Sequence, residues 1–289
     1  MQKQPLSRSL AIRGWLLACG GLLLSNAAAV SLPAQDRSAN KIGVSVALVH
    51  LIVRYPEEQK TLWMNMLGAQ VTQSGSLELL KLPGLLLTFE KGEPIGPSSG
   101  SSVNHIGLWI KDYADVKAKV TAAQLGISSD SYKAEGCAAA PGTPACQMTV
   151  TFPDGISVEF TEDKTLTTPA ASHHIHMQTT DPEGLRAWYA KTLGATAGFR
   201  RNTIRAALFD SGEVDFNPAA QAQAPTRGRA IDHFGLEVKN LEAFCKKLEA
   251  DGVKFDTPYH AVAGSGLKSA IITDPVGARI ELLEGLPAH

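Results

Sequence analysis

The sequence predicts an α+β fold in which one structural unit is repeated four times. Each unit begins with a strand, continues into an amphipathic helix and ends in further strands. His105 and His233 stand at matching points 128 residues apart, and Glu159 and Glu281 stand at matching points 122 residues apart. We therefore expect a duplication with two tandem domains, each made from a pair of units.

The first and third units share their opening. A strand over residues 47–53 precedes a helix over 57–67, and a strand over 174–177 precedes a second helix. Asp181 and Pro182 mark the start of that second helix, because Asp is a favoured N-cap residue and Pro suits the first helical position. Both openings therefore predict a strand followed by a capped helix.

The second and fourth units share their opening and their end. Residues 104–108 read NHIGL and residues 232–236 read DHFGL, so each places a His at the start of a strand. Residues 153–159 and 274–281 each contain a turn followed by a strand that presents a glutamate. The boundary between the two halves is predicted near residues 165–172.

Composition and charge exclude some functions. The chain has 289 residues with 44% hydrophobic content, which suffices for two hydrophobic cores. Its 27 basic and 28 acidic residues are interspersed and give a formal charge of -1. No sustained positive field is available to hold a phosphate backbone, so a nucleic-acid partner is not expected.

The N-terminal segment predicts export. Three basic residues precede an apolar run over residues 15–30 with three small residues, all alanine, at 27–29, which is the layout of a secretory signal peptide. Cleavage after residue 29 would give a periplasmic or secreted protein without a membrane segment. An uncleaved anchor, and a lipoprotein cleaved before Cys19, remain alternatives.

The cysteines are compatible with an oxidising compartment. Cys137 and Cys146 are close enough in sequence to close a short loop, and two unpaired thiols are the alternative. Cys245 lies in an apolar helical pattern and is predicted to be a small buried hydrophobic residue.

A strand, a helix and three more strands per unit, paired two by two, resemble the vicinal oxygen chelate superfamily. This superfamily contains glyoxalases, bleomycin resistance proteins and extradiol dioxygenases. The resemblance covers nearly all of the chain after residue 42. It implies two tandem domains, residues 42–163 and 172–286, each a pair of βαβββ modules that form a curled mixed sheet.

The resemblance also implies metal ligands on the first and last strands of each unit. In the C-terminal half these positions hold His174, His233, Glu281 and Asp215. Two imidazoles with one or two carboxylates suit a divalent ion such as Fe, Mn, Ni, Co or Zn. We therefore expect these four side chains to converge in one cup.

The N-terminal half has a poorer set at the same positions. Leu48, Thr88, His105 and Glu159 stand there, and only two of these four can bind a metal. This half is therefore expected to be a structural partner, unless His50 substitutes for Leu48.

Strand parity separates the two neighbours of His174. His176 lies two residues further along and faces the same side of the strand, so it is an alternative ligand or a catalytic residue lining the cavity. His173 has the opposite parity and is predicted to be incidental.

For function, the resemblance implies a metal-dependent lyase or isomerase of the glyoxalase type. Its small substrate would chelate the metal through two adjacent oxygens, with Glu281 as the base and His176 as a second catalytic residue. A ring-cleaving extradiol dioxygenase is one alternative, although Ile271 and residues 263–265 lack the Tyr and His of that family. Noncatalytic binding, as in bleomycin resistance proteins, is another. A homo-oligomer remains open.

Overall fold

The computed structural model describes residues 43–132 and 146–289. The segment predicted to be a signal peptide lies outside the described residues, and so does Cys137. None of the helices in the described ranges is long and apolar enough to cross a membrane.

The N-terminal half contains two βαβββ modules. Module 1 consists of β1 (Val44–Val53), α1 (Pro56–Leu67), β2 (Gln70–Ser74), β3 (Leu77–Leu82) and β4 (Leu85–Lys91). Module 2 consists of β5 (Val103–Ile110), α2 (Tyr113–Ala122), β6 (Gly126–Asp130), β7 (Gln147–Phe152) and β8 (Ile156–Glu162).

The C-terminal half repeats this order. Module 3 consists of β9 (Ala170–Thr179), α3 (Pro182–Leu193), β10 (Thr196–Arg200), β11 (Ile204–Leu208) and β12 (Glu213–Pro218). Module 4 consists of β13 (Ile231–Val238), α4 (Leu241–Ala250), β14 (Phe255–Ala261), β15 (Lys268–Thr273) and β16 (Arg279–Glu284). Asp181 caps α3 as predicted, since its side chain accepts a hydrogen bond from the Gly184 backbone N–H at 2.8 Å.

These modules form two mixed sheets of eight strands each. The first sheet has the order β14-β15-β16-β13-β1-β4-β3-β2, and the second has the order β10-β11-β12-β9-β5-β8-β7-β6. Within each module the first strand runs parallel to the last, as β1 does to β4. The predicted fold class, with pairs of βαβββ modules forming mixed sheets, is confirmed.

The modules do not pair within the sequence halves. β1 pairs antiparallel with β13, which joins modules 1 and 4 in the first sheet. β5 pairs antiparallel with β9, which joins modules 2 and 3 in the second sheet. The expectation that the two modules of one sequence half form one sheet together is therefore wrong. Modules 1 and 3 are of one kind and modules 2 and 4 of the other, so pairing module 1 with module 2 or with module 4 combines the same two kinds, and the repeat does not decide between them.

Alternation along the strands separates a core face from an open face. In β1, Val49, Leu51 and Val53 are fully buried in the main hydrophobic core. His50 lies between them in sequence and therefore points to the other face of the sheet. The polar side chain of His50 consequently lies on the face of the sheet opposite this core.

The exchanged pairing predicts how a cut chain behaves. Lys164 and Thr165 are exposed between β8 and β9, so a protease site inserted there should be cleaved without disturbing either sheet. We expect the two fragments to elute together at the size of the intact protein in size-exclusion chromatography, because each sheet contains strands from both fragments. Separate elution of two half-size species would contradict the pairing. A denaturing gel serves as the control for complete cleavage.

Candidate metal centre

The strand register of the second sheet brings side chains from both sequence halves together. His105 on β5 lies opposite His176 on β9, and Gly107 lies opposite His174. On its other side, Gly107 pairs with Glu159 on β8. Asp215 on β12 joins this set as the register partner of His176. We call this group the histidine cup: His105, Glu159, His174, His176 and Asp215.

Gly107 makes room for this arrangement. A Cβ atom at this position would overlap the His174 ring, so the imidazole lies directly against the glycine backbone. A glycine within a strand often marks such a close approach. The NHIGL pattern of the sequence therefore supplies both a ligand-type His and the space for a second imidazole.

The three imidazoles lie close together. The nitrogens that His105, His174 and His176 offer to a metal lie within 4.8 Å of one another. Glu159 flanks two of these rings, with Oε2 3.6 Å from Nε2 of His105 and Oε1 3.8 Å from Nε2 of His174. Asp215 is next to His174, with Oδ2 3.9 Å from Nε2. All five side chains are buried.

Several polar atoms in the histidine cup have no hydrogen-bond partner. His105 donates from Nδ1 to Oδ1 of Asn104 at 2.9 Å, which leaves a lone pair on Nε2. That Nε2 atom, both ring nitrogens of His174 and Nδ1 of His176 are buried without a partner. Oε1 of Glu159 is in the same state. Buried polar groups are nearly always satisfied, so this concentration of lone pairs fits a bound cation.

Burial also sets the protonation states that a metal requires. It lowers the pKa of His105 and of His174 well below the usual value, and lowers that of His176 to about 3. The three imidazoles are therefore neutral at neutral pH, which is the form that binds a metal. Burial raises the pKa of Glu159. It also raises that of Asp215, and contact with Arg200 opposes the rise.

Two arginines near the histidine cup were not among the site residues predicted from the sequence. Arg200 and Arg201 lie at the turn between β10 and β11, and Arg200 forms an ion pair with Asp215. Nη1 of Arg200 and Nη2 of Arg201 are buried without a hydrogen-bond partner. Arg201 and Asn202 adopt left-handed backbone conformations, with φ of 51° and 59°. The only sequence signal for these residues was a basic pair in a hairpin turn.

The parity argument that set His173 apart from His174 is wrong. β9 contains a β-bulge, since Leu108 pairs with Ser172 while Gly107 pairs with His174. The extra residue is His173, and its ring stacks on Trp109 with centroids 3.8 Å apart. A bulge interrupts strict alternation, so His173 lies on the same side as His174.

The four predicted metal ligands do not converge. His174 and Asp215 lie in the second sheet, whereas His233 and Glu281 lie in the first, where Nε2 of His233 is 3.2 Å from Oε2 of Glu281. The expectation of a single cup formed by the C-terminal half is therefore wrong. Its physical cause is the exchanged pairing of the modules.

The first sheet carries an equivalent group of residues. By strand register, Leu48 lies opposite Gly235 as His174 lies opposite Gly107, and His50 pairs with Thr88 as His176 pairs with Asp215. We call this group the leucine cup: Leu48, His50, Thr88, His233 and Glu281. An imidazole and a carboxylate of the histidine cup are thus replaced by Leu and Thr. The two cups share a scaffold and differ in their donor atoms.

Comparison with known structures supports a common fold. Glyoxalase I from Zea mays superposes with a TM-score of 0.62 at 14% sequence identity, covering 83% of this chain and 92% of that chain. A dioxygenase-like protein from Bacillus subtilis superposes with a TM-score of 0.60 at 12% identity, covering 84% of this chain and 86% of that chain. No curated protein matches the sequence.

The paired βαβββ modules define the vicinal oxygen chelate fold. Residues 171–282 match the family model described as the Glyoxalase/Bleomycin resistance protein/Dioxygenase superfamily. The C-terminal part of the chain thus matches this superfamily in sequence, and the chain as a whole shares its fold.

We expect metal content to distinguish the two cups. We expect His105→Ala to lower the bound divalent metal several-fold, because it removes an imidazole from the histidine cup. The matched variant His233→Ala should retain the wild-type stoichiometry. Inductively coupled plasma mass spectrometry of the purified variants measures both. Equal loss from the two variants, or loss from His233→Ala alone, would refute the assignment to the histidine cup.

Proposed function

We propose that the protein is a metal-dependent lyase or isomerase whose active site is the histidine cup. The supporting observation is the cluster of His105, His174 and His176, three buried neutral imidazoles whose open lone pairs lie beside two carboxylates. The predicted signal peptide over residues 1–29 favours an exported enzyme.

The residues of the cup suit a divalent ion of the first transition series. His105, His174 and His176 would hold it, with Glu159 and Asp215 as the flanking oxygen donors. This nitrogen and oxygen set fits Fe, Mn, Co, Ni or Zn. When bound, such an ion acts as a Lewis acid that stabilises negative charge on a substrate oxygen.

Glu159 is the best-placed base. Oε1 of Glu159 and Oδ1 of Asp215 both lack a hydrogen-bond partner. Asp215, however, is held in an ion pair by the guanidinium of Arg200, which leaves Glu159 as the freer carboxylate. A carboxylate with an open lone pair can remove a proton from a carbon next to a carbonyl and return it to a neighbouring atom. Glu159 thus takes the role that the sequence had assigned to Glu281, its counterpart in the leucine cup.

The two arginines indicate the charge of the substrate. Nη1 of Arg200 and Nη2 of Arg201 are buried donors without acceptors. Leaving such donors unsatisfied costs about 1–3 kcal/mol each, more when they are charged. A substrate with a negatively charged or strongly polarised oxygen would supply the missing acceptors. The proposed substrate is therefore a small molecule with two adjacent oxygens, one of which develops negative charge.

The ring-cleaving alternative draws on the same donors, because imidazoles with a carboxylate also hold non-haem Fe(II) in oxygenases. Among the residues that the structure describes, neither cup has the aromatic hydroxyl expected for that reaction at the matching register position. Ile271 pairs with Glu281 in the leucine cup, and Thr149 pairs with Glu159 at the equivalent point of the histidine cup. Isomerase or lyase chemistry is therefore favoured.

Proton abstraction can be tested before the natural substrate is identified. Dihydroxyacetone presents a hydroxyl and a carbonyl oxygen on adjacent carbons, so it serves as a minimal probe. In D₂O, protein loaded with Co(II) or Ni(II) should catalyse hydrogen–deuterium exchange at the carbon next to the carbonyl. Proton NMR measures this exchange as loss of the corresponding proton signal. We expect Glu159→Gln to reduce this exchange by about 10²-fold or more, the range for loss of a general base.

The matched variant Glu281→Gln should catalyse this exchange at the wild-type rate, because Glu281 lies in the other sheet. Exchange that is absent from the metal-loaded wild type, or that is lost equally in both variants, would contradict the proposed chemistry. Oxygen consumption with a catechol, and no exchange, would favour the dioxygenase alternative.

A further inference from the structure

The leucine cup opens into a cavity of about 320 Å³. Its apolar walls are Leu48, Leu77, Phe89, Val262, Leu267 and Leu283. Its floor carries His50, His233 and Glu281. The volume is at the small end of the range for small-molecule sites.

His50 is fully hydrogen bonded. Its Nδ1 lies 2.8 Å from Oγ1 of Thr88, and its Nε2 lies 3.1 Å from Oε2 of Glu90. Its ring stacks on His233, with centroids 4.4 Å apart and an interplanar angle of 6°. No ring nitrogen of His50 is left to bind a metal.

His233 is also satisfied on both sides. Nδ1 lies 2.6 Å from Oδ1 of Asp232, and Nε2 lies 3.2 Å from Oε2 of Glu281. Ser269 donates to the other carboxylate oxygen of Glu281 at 2.6 Å. The polar floor of the leucine cup is thus complete without an ion, in contrast to the open lone pairs of the histidine cup.

The surroundings of this cavity are negatively charged. Three carboxylates line the cavity, Glu78, Glu90 and Glu281, and a fourth, Asp232, lies behind the ring of His233. Lys60 pairs with Glu78, and Arg279 pairs with Asp232. Even with His233 protonated, three positive groups face four negative ones. Among the described residues that line the cavity, none is Lys or Arg.

We propose that the leucine cup is a second binding site, which takes a small organic cation with an apolar body. The ammonium group would lie at Glu281 and Glu90, where it can donate charge-assisted hydrogen bonds to carboxylate oxygens. The body would lie against the leucine wall, where burial of apolar surface favours binding. This site is independent of the metal and of the chemistry in the histidine cup.

Three ligands with one skeleton test the proposal: 2-phenylethylammonium, 2-phenylethanol and phenylacetate. Each is titrated calorimetrically into full-length metal-free protein. We expect the ammonium compound to bind with a Kd in the millimolar range or tighter, and at least about tenfold better than the alcohol or the acid. Absence of ammonium binding, or equal binding of phenylacetate, would overturn the proposal.

Variants locate the binding in the leucine cup. Glu281→Gln and Glu90→Gln should each weaken ammonium binding by about tenfold, as expected for a lost charged acceptor. Glu90 has a side chain that is 61% exposed, so its replacement leaves the fold intact even if Glu281→Gln impairs folding. The matched variant Glu159→Gln should bind the ammonium compound as the wild type does. Equal weakening by Glu159→Gln, or no weakening by Glu90→Gln and Glu281→Gln, would refute this location.

Discussion

The antiparallel pairing of β5 with β9 is the contact on which the candidate active site depends. It aligns His105 from the N-terminal half with His176 from the C-terminal half. The same register places His174 against Gly107, where the absent side chain leaves room for an imidazole. Neither half of the sequence carries the complete set of ligands. The site therefore forms only when both halves fold together.

The pairing of β1 with β13 builds the same scaffold a second time. His233 and Glu281 occupy the positions of His105 and Glu159, so the backbone presents both cups in the same way. The difference is local, because Leu48 and Thr88 replace an imidazole and a carboxylate. The histidine cup and the leucine cup thus differ at two positions of one scaffold. The histidine cup has unsatisfied lone pairs, whereas the polar groups of the leucine cup are all hydrogen bonded.

The energetics of the two cups differ accordingly. In the histidine cup, buried nitrogens of His105, His174 and His176 lack partners, and each unsatisfied group costs about 1–3 kcal/mol. Unsatisfied buried polar groups are found in proteins where a ligand supplies the missing partner or where function depends on them. In the leucine cup, Asp232, Glu90 and Thr88 satisfy both imidazoles, which leaves a cavity suited to an organic ligand.

Much of the fold was accessible from the sequence, because the repeat, the strand periodicity and the Asp181 cap are local features. The residue types of the metal site were accessible too, since His105, Glu159, His174 and Asp215 stand at the expected points of their modules.

What the sequence did not reveal was long-range or irregular. The choice of partner module depends on contacts between strands more than 60 residues apart, as between His105 and His176. The bulge at His173 reverses a parity argument through one extra residue. Arg200 enters the cup beside a turn with left-handed backbone at Arg201 and Asn202; Asn commonly adopts this conformation, but Arg rarely does.

Anomalous X-ray scattering from crystals of the protein loaded with Co(II) or Zn(II) tests the central claim most directly. Data on both sides of the metal absorption edge locate the ion without reference to activity. The strongest anomalous peak should lie among His105, His174 and His176, with side chains from both sequence halves around it. A peak beside His233 and Glu281, or no peak in either cup of a metal-loaded crystal, would contradict the account.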